Sequence, residues 1–135
     1  MQIQKLWFAD EKIFILTEDG RQFWQSLLWY PRLYHATSEQ RMGYEYDSIG
    51  IRWEEIDEDM SVESFLYDDP EPKGISLLFL THPELNASAV ARRMGIQQSL
   101  LGAYIRGSKK PSKEREDEII AVIRQIGNEL ASITI

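Results

Sequence analysis

Residues 86–112 read NASAVARRMGIQQSLLGAYIRGSKKPS and decide the fold of the second half of the chain. An asparagine, a preferred N-cap residue, opens the stretch, and Ala87, Val90 and Ala91 follow at the spacing of one helix face. Gly95 can adopt the left-handed conformation that ends a helix. A second apolar pattern begins directly after it, so the stretch predicts two helices in a helix-turn-helix layout.

The second predicted helix, over residues 97–105, has an apolar face and a polar face. Its large apolar residues, among them Leu101 and Tyr104, recur at helical spacing and are expected to point inward. The other face is short and polar, which suits the major groove of DNA, where glutamine pairs with adenine and arginine with guanine. The residues expected to face bases are Gln97, Gln98, Ser99, Gly102, Ala103 and Arg106.

The charge of this region differs from that of the whole chain. Residues 86–115 contain seven cations and one anion, which gives +6, whereas the complete chain carries −7. Cations near the end of the first helix and after the second can contact phosphates on either side of a groove, without specifying sequence. Alternatively, they are ordinary solvated charges. The residues expected to contact phosphates are Arg92, Arg93, Lys109, Lys110 and Lys113.

The same segment resembles the phage-repressor (Xre/Cro-like) helix-turn-helix family. The matching positions are Gly95, Ile96, Gln98, Ser99, Leu101, Tyr104, Gly107, Lys109, Pro111 and Ser112. Two positions depart from the family, which usually has Ser or Thr where Gln97 stands and commonly has Ser where Gly102 stands. The resemblance implies sequence-specific DNA binding, and the departures affect base reading more than the fold. The alternative is a helical hairpin that does not bind DNA.

Charge also divides the chain into two predicted domains. Residues 1–73 contain seven cations and sixteen acids, a net of −9, whereas residues 74–135 contain eight cations and six acids, a net of +2. The stretch 67–74 contains two prolines, an acidic pair and a glycine, which interrupt regular structure. We therefore expect an acidic domain over residues 1–70 and an all-α helix-turn-helix domain with a C-terminal helix over residues 74–135.

The predicted class is α+β, with a small antiparallel sheet and short helices in the first domain. Residues 3–28 alternate as a three-stranded meander, with turns at residues 9–12 and at an Asp-Gly pair. Helices are expected from Pro31 and after a capping box at residues 37–40. A further strand is predicted over residues 46–53, and a short helix capped by Ser61 follows.

Several motifs of the first domain fix many positions at once. They are Thr17-Glu18-Asp19-Gly20, Trp29-Tyr30-Pro31-Arg32-Leu33, Gly50-Ile51-x-Trp53 and Ile56-Asp57-x-Asp59-x-Ser61-Val62. Through them, nearly all of residues 1–66 resembles the bacterial domain-of-unknown-function family 2442. The resemblance implies a small protein, which in some members carries a repressor-like helix-turn-helix behind the domain. Some members are encoded beside another small protein in arrangements like toxin–antitoxin pairs, which implies an antitoxin role.

Nine acidic residues crowd residues 54–71, and such a surface would attract a basic protein partner. The alternative is a solvated acidic face that keeps the protein in solution. Aromatic residues lie among these charges, and one or two of them, if exposed, would form a protein-binding hot spot. The candidates are Trp29, Tyr30, Tyr34, Trp53 and Phe65.

We expect neither an enzyme nor a metal or cofactor site. The acids lack the Asp-x-Asp-x-Asp-Gly spacing of a calcium loop, and no phosphate-binding glycine loop accompanies them. His35 and His82 stand apart, no serine lies in a nucleophile elbow, and the chain has no cysteine. The chain also opens without an apolar signal core and has no long apolar run, so we expect a cytoplasmic protein without membrane contact.

A dimerising element is predicted in the C-terminal helix, which begins at Ser112. Isoleucine and leucine recur there in steps of four, three, four and three residues, as in a heptad repeat. The alternative is that this stripe covers the core of its own domain. Both can hold, because Ile120 and Val122 provide a second apolar edge. We expect a homodimer, with contacts from Ile119, Ile123, Ile126, Leu130 and Ile133.

Together these patterns predict a sequence-specific protein that binds double-stranded DNA, which we expect to be a bacterial repressor of its own operon. The first domain is expected to bind a protein or to sense a signal. The alternative is an antitoxin-type module whose acidic domain masks a basic partner and whose helix-turn-helix is vestigial or serves only to dimerise.

Overall fold

The chain forms two compact units, which the computed structural model describes over all residues, 1–135. The first unit is Met1–Pro72 and the second is Lys73–Ile135. All strands lie in the first unit, whereas the second contains helices alone. The predicted α+β class is confirmed, but the first unit contains two three-stranded antiparallel sheets where a single small sheet was expected.

The first sheet is the predicted meander. It consists of β1 (Ile3–Ala9), β2 (Lys12–Thr17) and β3 (Gln22–Ser26), in the order β1-β2-β3. Asp10 and Glu11 connect β1 to β2 with φ angles of 52° and 58°. Two successive residues at positive φ make a turn whose twist matches that of the flanking strands, so the hairpin closes over two residues.

The second sheet corrects the single strand predicted over residues 46–53. Its strands are β4 (Tyr44–Tyr46), β5 (Gly50–Trp53) and β6 (Glu58–Ser61), in that order. The carboxylate of Asp47 accepts hydrogen bonds from the backbone N–H groups of Ile49 (2.8 Å) and of the glycine that follows it (2.9 Å). This side chain stabilises a turn that splits the predicted strand in two.

Four short helices connect the sheets and close the unit. They are a 3-10 helix Leu27–Trp29, α1 (Pro31–Tyr34), α2 (Ser38–Arg41) and a second 3-10 helix Val62–Leu66. The predicted capping box at the start of α2 is confirmed. The Thr37 hydroxyl accepts a hydrogen bond from the Gln40 N–H, and the Gln40 side chain accepts one from the Thr37 N–H. Ser61 caps the last helix as predicted, since its hydroxyl accepts a hydrogen bond from the Ser64 N–H (3.1 Å).

The core of the first unit combines residues from both sheets and from the helices. Ile13, Leu33 and Trp53 are fully buried, and the Trp53 indole N–H donates to the backbone carbonyl of Arg41 at 2.9 Å. Each such side chain contributes roughly 1.5–3 kcal/mol through removal of apolar area from water. The cluster also includes Ile3, Leu6, Ile15, Leu27, Ile51, Met60, Val62 and Phe65.

The second unit consists of four helices. They are α3 (Gly74–Thr81), α4 (Ala87–Met94), α5 (Gln98–Arg106) and α6 (Lys113–Ala131). Their common core contains Ile75, Phe79, Val90, Ala91, Leu101, Tyr104 and Ile119. None of the helices has the length and apolar character needed to cross a membrane.

Candidate nucleic-acid interface

The turn between α4 and α5 is held by backbone hydrogen bonds. Asn86 caps α4 by accepting from the Ala89 N–H at 3.1 Å. At the other end Gly95 has a φ of 74°, its N–H donates to Arg92 (3.1 Å), and the Ile96 N–H donates to Ala91 (3.0 Å). These two bonds form a Schellman motif, which ends α4 and fixes the direction of the chain into α5.

The α4 and α5 helices approach closely through small and apolar side chains. Ala91 is fully buried, as are Leu101 and most of Tyr104. Leu100 and Ile105 are half-buried against the same core, so the predicted inward face of α5 is confirmed. Helices packed at short range need a small residue at their crossing, and a larger side chain at position 91 would push them apart.

The outward face of α5 consists of the residues expected to face bases. Gln97 precedes the helix, but its side chain makes no capping hydrogen bond. A Cβ atom added at Gly102 would lie 3.1 Å from a guanidinium nitrogen of Arg106, so the arginine folds back over the glycine. Gly102 and Ala103 are partly exposed, while Gln97, Gln98, Ser99 and Arg106 are exposed.

The cations expected to contact phosphates are all exposed, and some are already engaged. Arg93 forms a bidentate ion pair with Glu129 of α6, at 2.9 and 3.1 Å. Lys113 bonds Asp117, and that hydrogen bond raises the pKa of the lysine. Surface pairs of this kind contribute little to stability, so a phosphate can replace the carboxylate. Arg92, Lys109 and Lys110 complete this set of exposed cations.

The apolar stripe of α6 is divided between the core and the surface. Ile119 is fully buried, and Ile123 and Ile126 are half-buried against the core of the second unit. Leu130 remains 63% exposed, and Ile133, which was predicted to belong to the helix, lies beyond its end at Ala131 and is 59% exposed. The first part of the stripe therefore covers its own core, and only its C-terminal part is available to another molecule.

The acidic stretch of the first unit is neutralised in part by one arginine. The Arg52 guanidinium contacts Glu54 at 3.0 Å and both Asp57 and Asp59 at 2.8 Å. These hydrogen bonds raise the pKa of Arg52, and the bond from the arginine lowers the pKa of Asp57. Arg32 adds a hydrogen bond to the Asp57 carbonyl at 2.6 Å. Glu54, Asp57 and Asp59 thus form a cluster around Arg52 rather than a set of free charges.

Most of the aromatic residues considered for a protein-binding hot spot serve the fold instead. Trp53 and Phe65 are buried, and Tyr30 is half-buried, with its hydroxyl near Gln25 at 3.1 Å. Trp29 donates its indole N–H to the Pro70 carbonyl at 3.1 Å. Of the set only Tyr34 is exposed. Three aromatic side chains on the outer face of the first sheet, Trp7, Phe14 and Trp24, were not considered from the sequence.

Neither histidine is part of a larger polar cluster. His82 bonds the Leu78 carbonyl through Nδ1 at 2.8 Å, and His35 contacts the Tyr34 ring. No group of three or more His, Cys, Asp or Glu side chains is arranged to hold a metal ion.

Comparison with known proteins gives one family match. The family described as "Protein of unknown function (DUF2442)" matches residues 3–71, about half of the chain. This match covers the first unit and gives no support for the repressor-like resemblance of the second. No curated protein and no solved structure gives a significant match. The chain therefore belongs to the DUF2442 family of proteins of unknown function.

Proposed function

We propose that the chain is a sequence-specific DNA-binding protein whose α4 and α5 form a repressor-like helix-turn-helix. The observation that carries the proposal is the outward face of α5. This face combines polar and small residues on a helix whose direction is fixed by the Schellman motif. The helix lies within residues 86–115, which carry a net charge of +6. Short side chains on its outward face let a helix enter the major groove, and positive charge attracts the helix to the DNA phosphates.

Base recognition is assigned to the two ends of α5. Gln98 lies in the first turn, from which recognition helices contact base edges, and its amide suits adenine. Arg106 lies in the last turn, and its guanidinium suits guanine. Arg106 lies back over Gly102 and is exposed, so it would have to swing outward to contact a base.

Phosphate contacts are assigned to cations on both sides of α5. Arg92 and Arg93 lie at the end of α4, and Lys109, Lys110 and Lys113 follow α5. Five such contacts would give the logarithm of the binding constant a slope of about −4.5 per protomer against the logarithm of salt concentration.

We further propose that two copies bind one operator and that the protein represses its own operon. A single helix in a single groove reads few bases, and a symmetric dimer doubles that number. The exposed Leu130 at the end of α6 and the exposed Ile133, two residues beyond the helix, support a contact between copies. Dimer contacts at this end require no loss of the core contacts made by Ile119.

The test measures binding of the full chain to DNA from immediately upstream of its gene by fluorescence anisotropy. Gln98→Ala and Arg106→Ala should each weaken binding by about 5- to 150-fold and relax preference at one base position. The matched controls are Gln125→Ala and Arg124→Ala, which remove the same residue types from exposed positions on α6. Equal losses in the variants and the controls would contradict the assignment.

A second candidate is an antitoxin-type module whose acidic first unit masks a basic partner. It is favoured by Glu63 and Glu71, which are exposed and make no ion pair. The Arg52 cluster weighs against it, because three of the nine acids in this region are already bound to a cation. If Gln98→Ala and Arg106→Ala changed only the binding of such a partner, this function would replace the first.

A further inference from the structure

The outer face of the first sheet carries three aromatic side chains in one row. Cross-strand pairing puts Trp7 opposite Phe14, and Phe14 opposite Trp24. The row therefore crosses β1, β2 and β3 at the same level. Leu16 lies on the same face, two residues further along β2. We refer to Trp7, Phe14 and Trp24 as the aromatic row.

The aromatic row contributes to neither core. Successive residues in a strand point to opposite faces, so the buried Ile13 and Ile15 on either side of Phe14 point into the first unit. The three aromatic residues are half-buried and belong to neither hydrophobic cluster. Three large aromatic side chains that do not support a core form an apolar surface of the kind that marks interaction sites.

Two lysines lie over these rings and make no ion pair. The Lys5 Nζ is 5.2 Å from the centroid of Trp7, and the Lys12 Nζ is 4.4 Å from that of Trp24. The first unit is strongly acidic, yet these two ammonium groups contact π faces in place of carboxylates. Lys5 and Lys12 thus add two positive charges to the surface of the aromatic row. A complementary partner is anionic and has an apolar side.

The orientation of the rings favours a protein over a nucleic acid. Trp7 and Phe14 stack on each other with a centroid separation of 5.4 Å and an angle of 5° between their planes. A face of Trp24 is occupied by Lys12. Single-stranded nucleic acids bind by stacking their bases on free ring faces. Here each of the three rings has a face turned to a neighbouring side chain. The ring edges suit aliphatic side chains.

We propose that the aromatic row, with Lys5 and Lys12, is a docking surface for an acidic amphipathic segment of another protein. Aliphatic side chains of the segment would pack on the ring edges, and its carboxylates would pair with the two lysines. The partner has the opposite charge from the basic one that the acidic composition of the first unit suggests. The proposal does not depend on DNA binding by the second unit.

The test titrates the full chain with a short labelled peptide of alternating leucine and glutamate. We expect binding with a Kd on the order of 100 µM, together with a change in tryptophan fluorescence. The same peptide with lysine in place of glutamate, and an oligothymidine, should not bind. The double variant Lys5→Glu/Lys12→Glu should weaken binding at least about tenfold. The control is Lys73→Glu, the same charge reversal at one lysine outside the first sheet, which should bind as the parent does.

Three results would overturn the proposal: no binding of the acidic peptide at about 1 mM, parent-like binding by the double variant, or binding of oligothymidine in place of the peptide. Phe14→Ser is a second variant, which removes the centre of the aromatic row and should also abolish peptide binding. Its affinity for upstream DNA should be unchanged. Measuring DNA affinity on the same samples separates failure of this proposal from failure of the proposed DNA-binding function.

Discussion

The two units differ in how many of their arginines form ion pairs. In the first unit all four arginines, Arg21, Arg32, Arg41 and Arg52, form ion pairs with carboxylates of that unit. In the second unit Arg93 and Arg115 also form ion pairs, whereas Arg92 and Arg106 are exposed and form none. A cation bound to its own fold has little to offer a ligand, whereas an unpaired one is available. Net charge alone would have directed attention to the acids of the first unit.

The same comparison applies within the first unit. Lys5 and Lys12 are its two cations without an ion pair, and both lie beside the aromatic row. Arg92 and Arg106 in the second unit, like Lys5 and Lys12 in the first, lie on surfaces for which we propose partners, and in each case the expected partner is anionic. The predictions below test this contrast between internally satisfied and available groups, beginning with the largest expected effect.

Removal of a satisfied core group should be the most costly change. Trp53→Ala empties a fully buried site and leaves the Arg41 carbonyl without its indole donor, so unfolding of the first unit should become about 3–5 kcal/mol easier. Trp24→Ala, the matched control on the outer face, should cost about 1 kcal/mol. Denaturant unfolding followed by circular dichroism measures both. Similar costs would show that the aromatic row supports the core.

Overpacking the contact between α4 and α5 should affect the second unit. Ala91→Leu adds bulk at a fully buried position and should destabilise this unit by about 1–3 kcal/mol. DNA binding should fall more than stability alone explains, because the orientation of α5 would change. Ala121→Leu is the control, since Ala121 is exposed on α6. Unchanged stability in Ala91→Leu would mean that the helices are not closely packed.

Release of a paired cation should strengthen DNA binding. Glu129→Gln removes the carboxylate that holds Arg93 and should raise affinity for upstream DNA by up to about fivefold. Glu118→Gln is the comparison, because its partner Arg115 is outside the set of proposed phosphate contacts. Anisotropy at low and moderate salt gives both values. A loss of affinity in Glu129→Gln would indicate that the pair orients Arg93 instead of occupying it.

The smallest expected effect is on the acid stability of the first unit. Arg52 lowers the pKa of Asp57 in the folded state, so the folded protein binds a proton there less readily than the unfolded chain does. The associated stability is present above the unfolded pKa, near 4, and is lost as pH falls through the folded pKa. Arg52→Met should flatten the dependence of Tm on pH below about pH 4. An unchanged dependence would assign it to other carboxyls.

Local patterns in the sequence were sufficient where one element determined the structure. The meander followed from alternation and turn residues, the capping box of α2 followed from Thr37 and Gln40, and the inward face of α5 followed from its apolar spacing. Strand β6 (Glu58–Ser61) was missed because three of its four residues are polar and only Met60 is buried. Its position depends on pairing with β5, which a local pattern does not contain.

Contacts between elements explain what the sequence did not predict at the sites. The Arg52 cluster requires β5 and the following turn and strand to bring three acids to one guanidinium. The pairing of Arg93 with Glu129 joins two helices far apart in sequence. The sequence could have predicted that Trp7, Phe14 and Trp24 lie on the outer face of the meander, because they alternate with the apolar residues of the inner face. That the three side chains lie opposite one another in a row depends on the register of the strands, which the sequence alone does not give.

The most direct test of the central claim is the salt dependence of binding to the upstream DNA, measured by anisotropy against scrambled DNA of equal length. We predict nanomolar affinity for the upstream DNA, clear preference over the scrambled DNA, and a slope of about −4.5 per protomer. Weak binding that is equal on both DNAs would contradict this prediction, and would show that the cations of the second unit do not form a DNA-reading surface.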